Sequence, residues 1–410
     1  MNNTLISIIL YIDPGTGAML FSVLMGLVSV LFFAIKAAIV KIKFWISGGR
    51  VEITTYKIPL VIFAESKRYW NVFSSICEEL EKRQFGCEYW TTSQDDPIFE
   101  KNYVYVKAVY IGEGNKAFSK LNLMNAKMCL STTPGLEVFQ WKRSKSCDKY
   151  IHIFHNVAEP VLYRMFGIDY YDIILVMGDS EEDYIRSLEK IRGLPEKQIV
   201  LVGSTYLDEL ARCIDNCDIK KQNDIPTILL APSWGEASIT NRYGEKMIDA
   251  LVNTGYNIIF RPHPQSFTSD KQLMDRLIKK YPDSDKFEWD RNTNNFESLL
   301  RADVMVSDFS GIIYDYAFCF NKPVIFSIAG LDLSVYDAWW LDGDSWSVKN
   351  LPNVGVELKT DDLADIKKVI DSLLDNKEFH DRIQMLKSYA WKNMGDSSKL
   401  IADYIIENNI

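Results

Sequence analysis

The chain has 410 residues, 47% of them hydrophobic and 13% aromatic, with a formal charge of −9. That composition excludes wholesale disorder and gives enough apolar material for two domains of ordinary size. The acidic balance excludes a general nucleic-acid binder, which needs a basic surface, so any phosphate site must be a local pocket.

The first 50 residues differ from the rest. Their charges are Lys36, Lys41, Lys43 and Arg50 against Asp13, so residues 51–410 hold an even larger acidic excess. From Ala18 to Ile35 there is no charged residue, and Ala37–Val40 extends the apolar run past Lys36. At about 1.5 Å per helical residue this stretch crosses a hydrocarbon layer of roughly 30 Å. A cleaved signal peptide fits poorly, because the first residues lack positive charge and the run is too long. The expectation is one N-terminal transmembrane helix, residues 1–50 serving as the anchor. The lysines that follow the span put the body on the cytoplasmic side of the cell membrane. Asp13-Pro-Gly-Thr-Gly17 reads as an interfacial turn of no specific assigned role.

After Arg50 the pattern alternates strand and helix. Strands are expected at Pro59–Ala64, Cys87–Thr91, Lys107–Ile111, Lys127–Ser131, Tyr150–Phe154, Ile173–Met177 and Ile199–Val202. Amphipathic stretches fall between several of them, such as Asn71–Lys82 and Ser180–Ile191. A polar run, Asp215–Asp224, reads as a linker. A second set follows at Thr227–Ala231, Asn257–Phe260, Phe287–Trp289, Val304–Val306 and Val324–Phe326, with charged helices from about Asp361 onward. The fold class is α/β: two doubly wound parallel-sheet domains, 51–222 and 223–410, facing a cleft in the GT-B manner. The first would take the acceptor and the second the nucleotide donor, with the last helices packing back across the junction.

Ligands of such sheets sit at the carboxyl ends of strands, so the loops there carry the function. In the second half these are Pro232-Ser-Trp-Gly-Glu236, Arg261-Pro-His-Pro264 and Ser307-Asp-Phe-Ser-Gly311. The last separates a strand from an apolar helix. Its Ser and Asp oxygens suit helix capping, while a helix N-terminus behind a small polar turn also suits a phosphate. Arg261 offers a charged fork, and two prolines stiffen the backbone around His263. A solvated surface histidine is the plain alternative there. The seven cysteines form no C-x-x-C pair and suit reduced thiols. Asp342-Gly-Asp344 looks like a D-x-D metal motif, but no metal and no cofactor is expected.

The stretches "APSWGE", "FRPHPQS" and "SDFSGIIYDYAFCFNKPVIF", in this order, resemble the CDP-glycerol glycerophosphotransferase family of teichoic-acid primases and polyol-phosphate polymerases. "VLVGSTYLDEL" is similar to the family's segment before the second domain, and Asp332 and Tyr336 fall where the family often has Asp and Tyr. The resemblance covers roughly residues 150–345. It implies that Arg261, His263, Ser307, Asp308, Ser310 and Gly311 hold the donor diphosphate, and that Asp315 lies near the ribose or the transferred group. It also implies a catalytic base at His155, at the end of Tyr150–Phe154, with Glu159 as alternative or supporting base. A neutral imidazole there could take the proton of an acceptor hydroxyl. A structural histidine bonded to its neighbours is the other reading.

Two departures stand out. Asn156-Val157 replace the family's usual Gly-Thr after the histidine, and Gly311 replaces the second of two serines. The implied function is a membrane-anchored transferase moving glycerol phosphate, or a similar polyol phosphate, from a CDP-activated donor to a lipid-linked surface polymer. A nucleotide-sugar glycosyltransferase and a non-catalytic membrane-tethered scaffold are the competing readings.

Overall fold

The computed structural model describes residues 56–157, 162–217, 225–374 and 377–409, together with Leu31 and Ile35. The expected N-terminal span, the Asp13–Gly17 turn, Glu159 and most of the linker lie outside the described residues. Among the described residues no helix is long and apolar enough to cross a membrane. Met1–Lys57 and Ile58–Ile410 separate as two compact units, and both sheets belong to the second.

The first sheet contains β1 (Ile58–Ala64), β2 (Cys87–Thr91), β3 (Val106–Tyr110), β4 (Ala126–Ser131), β5 (Cys147–Ile153), β6 (Ile173–Val176) and β7 (Gln198–Leu201). The order is β3-β2-β1-β4-β5-β6-β7, with every pairing parallel. Central β1, Ile-Pro-Leu-Val-Ile-Phe-Ala, buries its last five residues without alternation. This is the signature of a strand covered on both faces. One of those covers is α1 (Trp70–Lys82), whose Val72, Phe73, Ile76, Cys77 and Leu80 recur at helical spacing and are all buried.

The second sheet contains β8 (Thr227–Leu230), β9 (Asn257–Phe260), β10 (Phe287–Trp289), β11 (Val304–Ser307), β12 (Val324–Phe326) and β13 (Gly355–Glu357). Its order, β10-β9-β8-β11-β12-β13, is again parallel throughout. In each sheet the strand order reverses beside the first strand, so a switch point opens between β1 and β4 and another between β8 and β11.

The chain also crosses back. Helix α5 (Ser397–Glu407), the last, buries Ile401, Ala402 and Ile405 in the core of the first sheet, with Leu60 and Ile62. By packing it belongs to the first half. The return segment lies tightly against the carboxyl end of β6: Lys392 donates its N–H to the Met177 carbonyl at 2.9 Å. A Cβ on Gly178 would come within 2.5 Å of the Ala390 backbone, so only glycine admits this crossing.

A buried ion cluster also joins the two halves. Arg192, at the end of α2 (Glu182–Arg192), pairs with Asp169 at 2.6 Å and with Asp337 of the second half. Asp337 also accepts the Phe166 N–H at 3.1 Å, and its own N–H donates to the Tyr163 carbonyl at 2.8 Å.

Candidate functional site

A cavity of about 230 Å³ opens between the two halves, beside the β8–β11 switch point. The first half contributes Asn156, Val157, Leu162 and Tyr163, from the segment after β5. From the second half come Ser233 and Trp234 after β8, His263 after β9, and Phe309, Ser310 and Gly311 after β11. Tyr336 and the start of α4 (Trp346–Val354) complete the wall. The cavity is partly open to solvent, and its volume is enough for a diphosphate and a small attached group.

The turn after β11 is held in shape by its own side chains. Ser307 is fully buried, and its hydroxyl donates to the Ala231 carbonyl at 2.6 Å. Asp308 is 1% exposed, and its carboxylate accepts the N–H of Ser233 at 3.0 Å and of Ile239 at 3.1 Å. Burial pushes the Asp308 carboxyl up, against these N–H donors, which favour the charged form. These side chains weld the β11 loop to the β8 loop. They do not line the cavity and do not cap the next helix. That helix, α3 (Ile312–Phe320), has Gly311 at its N-cap position and so lacks a side-chain cap. The helix starts at the cavity, beside Ser310 and Gly311, where the Ile313 and Tyr314 N–H groups donate to the Ser310 and Gly311 carbonyls at 3.1 Å, and its positive dipole end faces that side.

His263 is held differently. Its Nδ1 accepts the Gln265 N–H at 3.1 Å, which leaves the proton on Nε2 and makes that atom a donor. Burial, with Arg68 nearby, lowers its pKa to about 4, so the ring is neutral at pH 7 and contributes a hydrogen bond. The Trp234 ring lies beside it at 6.2 Å.

Besides Ser307 and Asp308, two more residues expected at the ligand are placed elsewhere. The Arg261 guanidinium pairs with buried Asp290 and donates to the Asn292 carbonyl at 2.9 Å, which braces the loop after β10. It does not reach the cavity wall, because its charge is already matched inside the second half. Asp315 is 5% exposed, on the inner face of α3, with one carboxylate oxygen unpartnered. Burial pushes its pKa up to about 8, against a hydrogen bond from Tyr206. The four-residue spacing from Gly311 does place Asp315 one turn along, but on the face the core covers. Asp342 and Asp344 are exposed and away from the cavity, and among the described residues no group of His, Cys, Asp and Glu gathers to hold a metal.

In the first half, His155 follows β5 and stands just behind the wall formed by Asn156 and Tyr163. Its Nδ1 meets the Thr132 hydroxyl at 2.9 Å, and the Tyr163 ring stacks over it at 6.4 Å and 18°. Burial lowers its pKa to about 4. In the tautomer that carries its proton on Nδ1, Thr132 Oγ1 accepts and Nε2 is the basic nitrogen. Neighbouring His152 is fully buried, bonded to the Tyr163 hydroxyl at 3.1 Å, and has a structural place.

Sequence reasoning did not single out Tyr163, Phe309 or the start of α4. Tyr163 follows no motif, and only its contacts with His152 and His155 mark it. Trp234 and Phe309 lie inside the resembling stretches without a role implied for them, and Asn156 shows in the sequence only as a departure from the family pattern.

The family model described as CDP-Glycerol:Poly(glycerophosphate) glycerophosphotransferase matches residues 127–407. By sequence, no curated protein matches. Among solved structures, the wall teichoic acid polymerase TagF is similar over 86% of this chain and 89% of its own, at 16% identity and a TM-score of 0.56. A variant of that polymerase soaked with CDPG is similar over 87% and 90%, at 15% identity and 0.55. The UDP-GlcNAc 2-epimerase of Methanocaldococcus jannaschii, in complex with UDP-GlcNAc and UDP, covers 85% and 99%, at 16% identity and 0.53. At such identities these likenesses speak for the fold.

Proposed function

Given that this chain belongs to the CDP-glycerol:poly(glycerophosphate) glycerophosphotransferase family, we propose that it moves glycerol phosphate, or a similar polyol phosphate, from a CDP-activated donor to a lipid-linked teichoic-acid acceptor. Family membership makes it a CDP-glycerol glycerophosphotransferase-like enzyme. The observation that carries the finer reading is the cavity wall where His263, Ser310 and the uncapped start of α3 converge opposite the His155 loop.

In this reading the donor diphosphate rests against the start of α3, the Ser310 hydroxyl and His263 Nε2–H. Ser307, Asp308 and Arg261 act at one remove, by fixing the loops that present those donors. An acceptor hydroxyl attacks the phosphorus that carries the polyol. The new P–O bond forms as the bond to CMP breaks, and His155 Nε2 takes the hydroxyl proton. Glu159 is the supporting candidate for that proton. The apolar run at Ala18–Ile35, followed by Lys36, Lys41 and Lys43, supports an anchor that holds the cytoplasmic body near a lipid-linked acceptor.

The full chain, incubated with labelled CDP-glycerol, CDP-ribitol and UDP-sugars plus membrane lipid extract, is expected to release CMP. Release of UDP, or of CDP, would replace phosphoryl transfer with glycosyl transfer. No nucleotide release from any donor would leave a scaffold.

A further inference from the structure

Gly311 is a glycine for want of space. Its backbone is ordinary right-handed helix, φ −57° and ψ −23°, which any residue adopts. A Cβ there, however, would stand 2.7 Å from Asn156 Nδ2 and 3.3 Å from Asn156 Cβ and Cγ. Asn156 comes from the other half of the molecule, next in the chain to His155. Its carboxamide thus occupies the place that a side chain at 311 would take, at the very start of α3. Two departures that look unrelated in the sequence are one contact across the cleft.

The carboxamide has chemistry to spare. Its Oδ1 is buried and has no hydrogen-bond partner, although Asn156 lines the cavity. A buried acceptor left unpaired is costly, and Oδ1 can be satisfied only by a donor. A diphosphate carries no proton at neutral pH and cannot serve. A polyol hydroxyl can. Asn156 lies between the start of α3 and His155, its neighbour in the chain, so on the donor reading it falls near the part of the donor that is transferred.

We propose that Asn156 is a specificity-determining residue: from the space Gly311 leaves, its Oδ1 accepts a hydrogen bond from a hydroxyl of the polyol carried on the donor diphosphate. The inference rests on the donor reading given above. Gly311 takes part by being small, and the pair forms a single device split between the two halves.

The test compares CDP, which lacks the polyol, with CDP-glycerol, by calorimetric titration of the full chain and its variants. Asn156→Ala is expected to weaken CDP-glycerol binding about tenfold, as for one lost hydrogen bond, and to leave CDP binding unchanged. Gly311→Ala should also weaken CDP-glycerol binding, by displacing the carboxamide, and the double variant should be no worse than the weaker single. Unchanged CDP-glycerol affinity in Asn156→Ala overturns the proposal, as does an equal loss for both nucleotides, which would place Asn156 at the diphosphate or in the loop's stability. Failure of the unsubstituted chain to bind either nucleotide would instead sink the donor reading itself, and this inference with it.

Discussion

At the scale of single residues, the three histidines near the cleft share one physical state. His152, His155 and His263 are all held below the usual imidazole value, to about 3, 4 and 4, by burial first. They are therefore neutral at pH 7, and the sign of the linkage follows. Unfolded, each titrates near 6.5, so the unfolded chain binds more protons as pH falls below that value. Their contribution to stability is complete above pH 6.5 and is lost as pH drops toward 4. For the proposed base, the same state predicts an acid limb of kcat/KM with its midpoint near pH 4. His155→Ala should lower turnover about 10²–10⁴-fold, the usual worth of general acid–base catalysis, with little change in donor affinity. Steady-state kinetics checks this; near-normal turnover would make the Thr132–His155 contact merely structural. That His155 would sit beside a cleft was legible from its place at a strand end. That Asp315 would be buried was not, because spacing along a helix gives a face but not what covers it.

At the scale of elements, the alternation of apolar runs and amphipathic stretches located the strands well, since buried parallel strands are continuous apolar segments. The exceptions are instructive. β5 begins at Cys147, three residues before its apolar part, because Asp148 and Lys149 are exposed at its start. β13 is a three-residue edge strand, Gly355–Glu357, whose one apolar side chain, Val356, makes no run to read. The junction between the halves had no sequence signal either, since Asp169, Arg192 and Asp337 are far apart in the chain. Their side chains are 4%, 10% and 1% exposed, so loss of one partner strands a desolvated charge. Asp337→Ala should destabilise the protein by about 3 kcal/mol, the lower end for breaking a buried pair, because Arg192 keeps Asp169. Thermal unfolding by calorimetry checks it. A variant that melts like the parent would show that the cluster does not hold the second-half loop against the first half.

At the scale of the whole molecule, two parallel sheets bring the start of α3, Ser310 and His263 to one cavity, the place proposed above for the diphosphate of a CDP-linked donor. The turn Ser307–Gly311 was ambiguous in the sequence between a helix cap and an anion site. Its Ser307 and Asp308 bond to the β8 loop instead, so substitutions at the cavity wall can separate ligand binding from stability. The decisive measurement is calorimetric titration of CDP into the full chain and into its Ser310→Ala and His263→Ala variants, each paired with a thermal melt. Each substitution is expected to weaken CDP binding by about 1–3 kcal/mol, as for a lost bond to a charged group, with melting essentially unchanged. Unchanged CDP affinity with a lowered melting temperature in both variants would contradict a diphosphate site at this helix start.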